Sequence, residues 1–260
     1  MSAGGEGLFL AEDEDNPIIA LDLTSPHEAE DLEDGADDVH EALHDALSGP
    51  AFAFFQKLQS FMGRISLIDQ WHRSRGTVED ETEVMNIAAR INRDLCRLYH
   101  QRPALMDFAV EGKIQEPYVS RTLASSLTRS LRTYLANYHA SFIHLHRVAY
   151  RHLPRTQSVT KAMATIQQMA RLMAGCHDTA EESLPVNMLW PLLMWGCEED
   201  SVEERAWIVS SIRKMGDIAT NAGITADVLE EVQRRQDAGK QRVDVRSVMQ
   251  DIFKSSWAIV

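Results

Sequence analysis

Apolar residues recur every three to four positions along most of this chain. Nowhere do apolar and polar residues alternate for long enough to mark a strand. Val84, Ile87, Ala88, Ile91, Leu95 and Leu98 form a clean helical stripe, with Arg90, Arg93 and Arg97 on another face that reads as solvated rather than as a phosphate track. A looser stripe, interrupted by two glutamines, runs through Phe52, Phe55, Gln56, Gln59, Met62, Ile65 and Ile68. Between Pro117 and Pro154 there is neither Gly nor Pro, and Val119, Leu123, Leu127, Leu131, Leu135, Tyr138, Phe142, Leu145 and Ala149 mark one face. An unbroken helix there would reach roughly 50 Å at about 1.5 Å per residue, so a bend or split near its Ser/Thr-rich part is expected. Thr156 caps a further run through Val159, Met163, Ile166, Met169 and Met173 that stops at Gly175. Helices are also expected at about 185–199, 201–220, 225–238 and 244–257. The expected fold is all-α, a multi-helix array or bundle.

The texture changes at Ser48-Gly49-Pro50. Before it, Leu8-Phe9-Leu10 and Ile18-Ile19-Ala20-Leu21 sit among carboxylates and are punctuated by Pro17 and Pro26. Such a mixture cannot bury enough apolar surface to fold alone. Residues 1–35 are therefore expected to be an acidic, disordered arm, and 36–260 an all-helical domain. The arm has the composition either of an activation segment or of a solubilising tail.

Charge sharpens this division. The net charge is -13, but the first fifty residues hold fifteen acidic side chains and no Lys or Arg. The rest, with 26 basic and 24 acidic residues, is almost neutral. Neither part offers the concentrated basic face of an autonomous nucleic-acid binder. The three cysteines, Cys96, Cys176 and Cys197, are odd in number and widely spaced, which indicates free thiols in a reducing compartment. Cys96 lies among apolar positions and reads as a core residue. The N-terminus lacks a basic n-region and a Gly after Met. The longest uncharged stretches, near Leu184–Cys197 and Tyr134–His146, fall short of the roughly 18 to 20 residues needed to span a bilayer. No membrane anchor is expected.

Motifs of chemistry are sparse. Gly4-Gly5-Glu6-Gly7 sits in the acidic arm, where phosphate would be repelled. Ser158-Val159-Thr160-Lys161 reads SxxK but lacks the partner motifs of that enzyme class. Asp37-Asp38-Val39-His40-Glu41 reads DDxxE, the spacing by which helical terpene synthases hold magnesium; no second metal motif follows, and aromatics are only 7%. Asp37 or Asp38 is instead expected to serve the N-terminus of a short helix. Cys96 with His100, and His139, His144 and His146, could be read as metal ligands. Zinc requires three or four converging ligands, and His144 and His146, two apart, point different ways around a helix. No catalytic residue, metal ligand or cofactor is expected.

The most distinctive passage is Leu189-Trp190-Pro191-Leu192-Leu193-Met194-Trp195-Gly196-Cys197-Glu198-Glu199, followed by Glu203-Glu204-Arg205 and Ile208. Physically it reads as a buried helix: Pro185 opens it, Pro191 kinks it, Gly196 allows another backbone to approach, and Arg205 bridges nearby carboxylates. It also resembles the signature in the C-terminal part of the fungal-specific transcription factor domain, the regulatory region of fungal binuclear zinc cluster regulators. The matching residues are Trp190, Pro191, Leu192, Gly196, Cys197, Glu198 and Arg205, here read as structural. Upstream, Tyr138-His139-Ala140-Ser141-Phe142-Ile143-His144-Leu145-His146-Arg147 with Leu153-Pro154 is similar to the helix that precedes the signature. The similarity covers about 136–212. Met194-Trp195 depart from the smaller residues usual there, and the six-cysteine DNA-binding cluster is missing.

The resemblance implies a regulatory helical domain of a fungal transcription regulator, without catalysis and without its own contact to DNA. It implies a nuclear location, or one shared with the cytoplasm. The implied partners are the transcription machinery or a related regulator, a small-molecule effector, and a homo- or hetero-dimeric mate. A helical interaction scaffold unrelated to transcription, and third a terpene-synthase-like enzyme, stay open as alternatives.

Overall fold

A computed structural model describes residues 35–175 and 183–254. Among these residues there are nine α-helices and no strand. They are α1 (Gly35–Ser66), α2 (Val78–His100), α3 (Leu105–Val110), α4 (Arg121–Ala149), α5 (Gln157–Ala174), α6 (Leu189–Gly196), α7 (Val202–Arg213), α8 (Ala222–Gly239) and α9 (Val245–Phe253). The all-α array expected from periodicity is the fold. Almost all of the acidic arm, and Cys176, lie outside the described residues.

The helix starts follow the capping rules. Thr77 and Asp80 form a reciprocal capping box: Thr77 Oγ1 accepts from Asp80 N at 3.1 Å and Thr77 N donates to Asp80 Oδ2 at 3.0 Å. Ser120, Thr156, Ser201 and Asp244 cap α4, α5, α7 and α9 with their side chains. The stripe of α2 and the whole of α5, from Thr156 to Gly175, match the periodic reading.

Three expectations are corrected. First, α1 starts at Gly35 rather than after Pro50, and runs through that proline. Pro50 and the carbonyl partner position Ala46 are both exposed, so water can satisfy the group that proline leaves without a donor. The buried face of α1 is also turned by one residue: Ala51, Phe54, Leu58 and Phe61 are buried, joined by Ile65 and by Ile68 just beyond its end, while Phe52 is 46% exposed. Second, of the expected bend or split, the split is absent: α4 is one continuous helix. Its polar residues hydrogen-bond back along the helix, Thr133 Oγ1 to Arg129 O at 2.8 Å, Asn137 Nδ2 to Thr133 O at 2.9 Å and Ser141 Oγ to Asn137 O at 3.1 Å. These three buried polar side chains are satisfied within the helix and leave no orphaned group to break it, while Thr122, Ser125 and Ser126 of the Ser/Thr-rich part are exposed to water. Third, Pro191 kinks nothing. Pro185 leads into a single 3-10 turn, Val186–Met188, and α6 begins afresh at Leu189. Pro191 is then its third residue, where the missing N–H has no intrahelical acceptor to lose.

The long α4 organises the molecule. On one side it packs with α1, α2 and α3 through Leu131, Leu135, Tyr138, Leu145 and Ala149. On the other, Ala136, Ala140 and Ile143 meet an apolar cluster built from α5 to α9. Within that second cluster α6 is enclosed almost all round, as the apolar run demands. Trp195 is 1% exposed, and its Nε1 donates to Glu199 Oε2 at 2.7 Å. Gly196 lies so close to α8 that an added Cβ would come within 2.7 Å of Leu229 Cδ2 and 3.3 Å of Ile208 Cγ2. Among the described residues, no helix is long and apolar enough to cross a membrane.

Trp195→Ala should lower stability by about 3–5 kcal/mol through cavity formation. Gly196→Leu should lower it by about 1–3 kcal/mol through overpacking. Thermal melts of the two variants check both; a Gly196→Leu chain as stable as the parent would contradict the tight α6–α8 approach.

Candidate functional site

Between the two apolar clusters, α4 leaves a cleft of about 1150 Å³. One wall is the C-terminal half of α1 and the segment after it; the other is α6 with the end of α8 and the start of α9. The face of α1 that periodicity had marked as core supplies Phe55, Gln59 and Met62 to this cleft. Opposite them stand Trp190, Met194 and Met249.

The seven signature residues divide between core and cleft. Pro191, Leu192 and Gly196 are buried in the second cluster; Cys197, 1% exposed, belongs to that cluster and also borders the cleft, which Trp190, Glu198 and Arg205 line. The sequence reading expects a buried indole at Trp190, but the side chain is only half-buried. Position 190 lies on the cleft side of α6, and the packed indole of this helix is that of Trp195. Trp190 stands edge-on to His144 at 4.9 Å between ring centroids, and its Nε1 has no hydrogen-bond partner. His144 is pushed down to about 3 by burial and then by Arg147 and Arg246, so it stays neutral.

At the polar end, Glu198 is 4% exposed at its side chain and flanked by two arginines. Arg147, itself 7% exposed, donates from Nη1 to Glu198 Oε1. Arg242 donates from Nε to Oε1 at 2.9 Å and from Nη2 to Oε2 at 3.0 Å. Arg147 also reaches Cys197 O at 3.1 Å, Gln236 Oε1 at 3.2 Å and Val243 O at 2.7 Å. Gln236 Nε2 completes the knot by donating to Cys197 O at 2.8 Å. Burial alone would raise the Glu198 carboxyl, but Arg147 and Arg242 outweigh it and hold the group below its ordinary value. Burial pushes the neighbouring Cys197 thiol up to about 11, so it is a poor nucleophile.

Arg205 bridges differently from the expectation. It ignores Glu203 and Glu204, donating instead to Glu199 O at 2.6 Å and to Asp237 Oδ2 of α8 at 2.8 Å. Glu204 pairs with Arg171 at 2.8 Å. Arg147, Arg242 and Gln236 were missed as site residues. The signal for them was a charge in an apolar segment: Glu198 cannot be buried without a counter-ion, and Arg147 closes the aromatic-rich helix before it.

The other candidates stay apart. Cys96, expected in the core, is exposed, because Leu95 and Leu98 hold the buried stripe and position 96 falls a quarter-turn away. His100 is exposed beside it. His146 packs against Tyr150, away from the His144–Trp190 pair. Ser158 and Lys161 are exposed on α5. The backbone of Asp37 to Glu41 is helical, in the first turns of α1. Among the described residues, no group of three or more His, Cys, Asp or Glu is placed to hold a metal ion. Arg90, Arg93 and Arg97 are exposed along α2.

The family model described as fungal specific transcription factor domain matches residues 20–260. No curated protein and no solved structure matches the chain.

Glu198→Gln should cost about 3–5 kcal/mol at neutral pH, because two arginines lose their buried counter-charge. The depressed carboxyl stabilises the fold above its unfolded value of 4.5, and that contribution is lost as pH falls through the lower folded value. Denaturant melts from pH 7 downward should therefore show parent and variant converging in acid; a constant gap would refute the buried pairing.

Proposed function

Because the chain belongs to the fungal-specific transcription factor domain family, we propose that residues 36–260 are the regulatory effector domain of a fungal transcription regulator. Residues 1–35 are its acidic arm. The domain does no chemistry: it changes what it contacts according to what occupies the cleft between its two apolar clusters. The observation that carries this reading is the division of the signature. Four of its residues, Trp190, Cys197, Glu198 and Arg205, line one cavity of about 1150 Å³, a volume suited to a small organic effector. Cys197 also serves the second cluster, but Trp190, Glu198 and Arg205 do not belong to its buried apolar set.

Targeting to DNA is assigned to a partner, because the chain after its first fifty residues is nearly neutral overall. A related regulator, paired through the helices, is the partner that would supply it. The place of action is the nucleus.

The full chain fused to a foreign DNA-binding domain in a yeast reporter strain should alter transcription, and removal of residues 1–34 should change the size of that effect. Trp190→Ala should blunt the dependence of output on growth conditions while leaving the protein folded. A tethered chain that leaves the reporter untouched under several nutrient conditions would move the function to an unrelated helical scaffold.

A further inference from the structure

The two walls of the cleft belong to different apolar clusters, yet they are hydrogen-bonded directly to each other at one place. The segment joining α1 to α2 carries Gln70 and Trp71 to the N-cap of α9. Gln70 Nε2 and Trp71 Nε1 donate to the same oxygen, Asp244 Oδ2, at 3.0 and 2.7 Å. From its own side, Asp244 Oδ2 accepts from Ser247 Oγ at 2.9 Å, and Oδ1 accepts from Arg246 N at 3.2 Å. Arg246 Nη1 meets His72 Nε2 at 3.0 Å, and Arg151 at the end of α4 donates to Gln70 Oε1 at 2.7 Å.

This knot differs in kind from the Glu198 cluster. Bonds to an ionised carboxylate are strong, but no residue from Asp69 to Thr77 is buried, and Trp71 is 47% exposed. Apart from Asp244, the segment is held by Ile68 in the first cluster, by Arg151 at Gln70, by Arg73 pairing with Glu83 at 2.8 Å, and by Arg75, which donates to Val148 O at 2.9 Å and to both carboxylate oxygens of Glu81; none of these ties reaches the opposite wall of the cleft. Segments held by exposed hydrogen bonds with few buried apolar contacts are those that open locally without global unfolding.

We propose that the α1–α2 segment is a latch on the cleft, with Asp244 as its catch. While Asp244 holds Gln70 and Trp71, the two walls are fixed at their present separation. When the catch lets go, the walls part and a ligand enters or leaves. The device gives the effector reading its regulation, and it rests on that reading for its purpose.

The latch can be tested in the full chain with no ligand present, using the buried Cys197 as reporter and the exposed Cys96 as internal standard. N-ethylmaleimide labelling of each cysteine is followed by peptide mass spectrometry. In Trp71→Phe, and in Trp71→Phe with Gln70→Leu, the Cys197 rate should rise about ten-fold, as expected when local opening is eased, with Cys96 unchanged. Arg64→Ala, which breaks an ion pair to Asp94 on the α1–α2 surface, serves as the destabilised control. A Cys197 rate equal to the parent's in both latch variants overturns the proposal, as does an equal acceleration in the control. Either failure leaves the effector reading intact. That reading falls separately, if Trp190→Ala leaves the conditional reporter output unchanged.

Discussion

A carboxylate cannot be taken out of water at the end of the most apolar helix in a protein unless cations come with it. The effective penalty is several kcal/mol per ion even after relaxation, and Glu198 directly follows the run Leu189–Cys197. Its two arginines come from distant parts of the chain, Arg147 from the last turn of α4 and Arg242 from the stretch between α8 and α9. Satisfying one charge therefore fixes α6 against α4 and pins the chain that leads into α9. The far wall of the cleft is placed by that requirement as much as by apolar packing.

The cleft itself follows from dividing a helical array into two cores. Each face of α4 has its own apolar cluster. Where the clusters diverge, the surfaces between them carry long polar side chains and half-buried aromatics rather than interlocking aliphatics. Satisfied polar networks rigidify such a region without filling it. Among the described residues of the lining, the Trp190 indole N–H and Arg151 Nε are exceptions, neither having a partner. An uncompensated donor beside a cavity is the kind of local deficit that functional sites retain and structural cores remove.

Most helices were legible because their stripes were strong. Val84 to Leu98 and Val159 to Met173 recur cleanly every three or four positions, and Ser, Thr or Asp stands at the start of each of the well-capped elements. What escaped was contextual. Periodicity says that α1 has an apolar face but not which of two adjacent faces meets the core and which meets a cavity, since Phe54 and Phe55 fit either. Two tryptophans five residues apart on α6 look equivalent in sequence. Only the packing of α8 against Gly196 and of α4 against the opposite side decides that Trp195 is enclosed while Trp190 is not. Pro191 read as a kink because the start of α6 could not be located to within one turn. Arg242 could not be paired with Glu198 from a separation of more than forty positions, because nothing local marks it.

The same division of the signature bears on how such a domain can respond at all. A ligand shifts a conformational equilibrium only by its difference in affinity for the two states, so a sensing residue must contact both the ligand and something that moves. Glu198 meets the second condition too firmly: its charges bind three segments together, and their release would cost far more than a small effector supplies. Trp190 and the Asp244 knot meet it better. One is a half-buried indole at the cavity wall, and the other ties the two walls through exposed bonds that water can replace. The rigid half of the site would then hold the frame, while regulation resides where the structure is least committed.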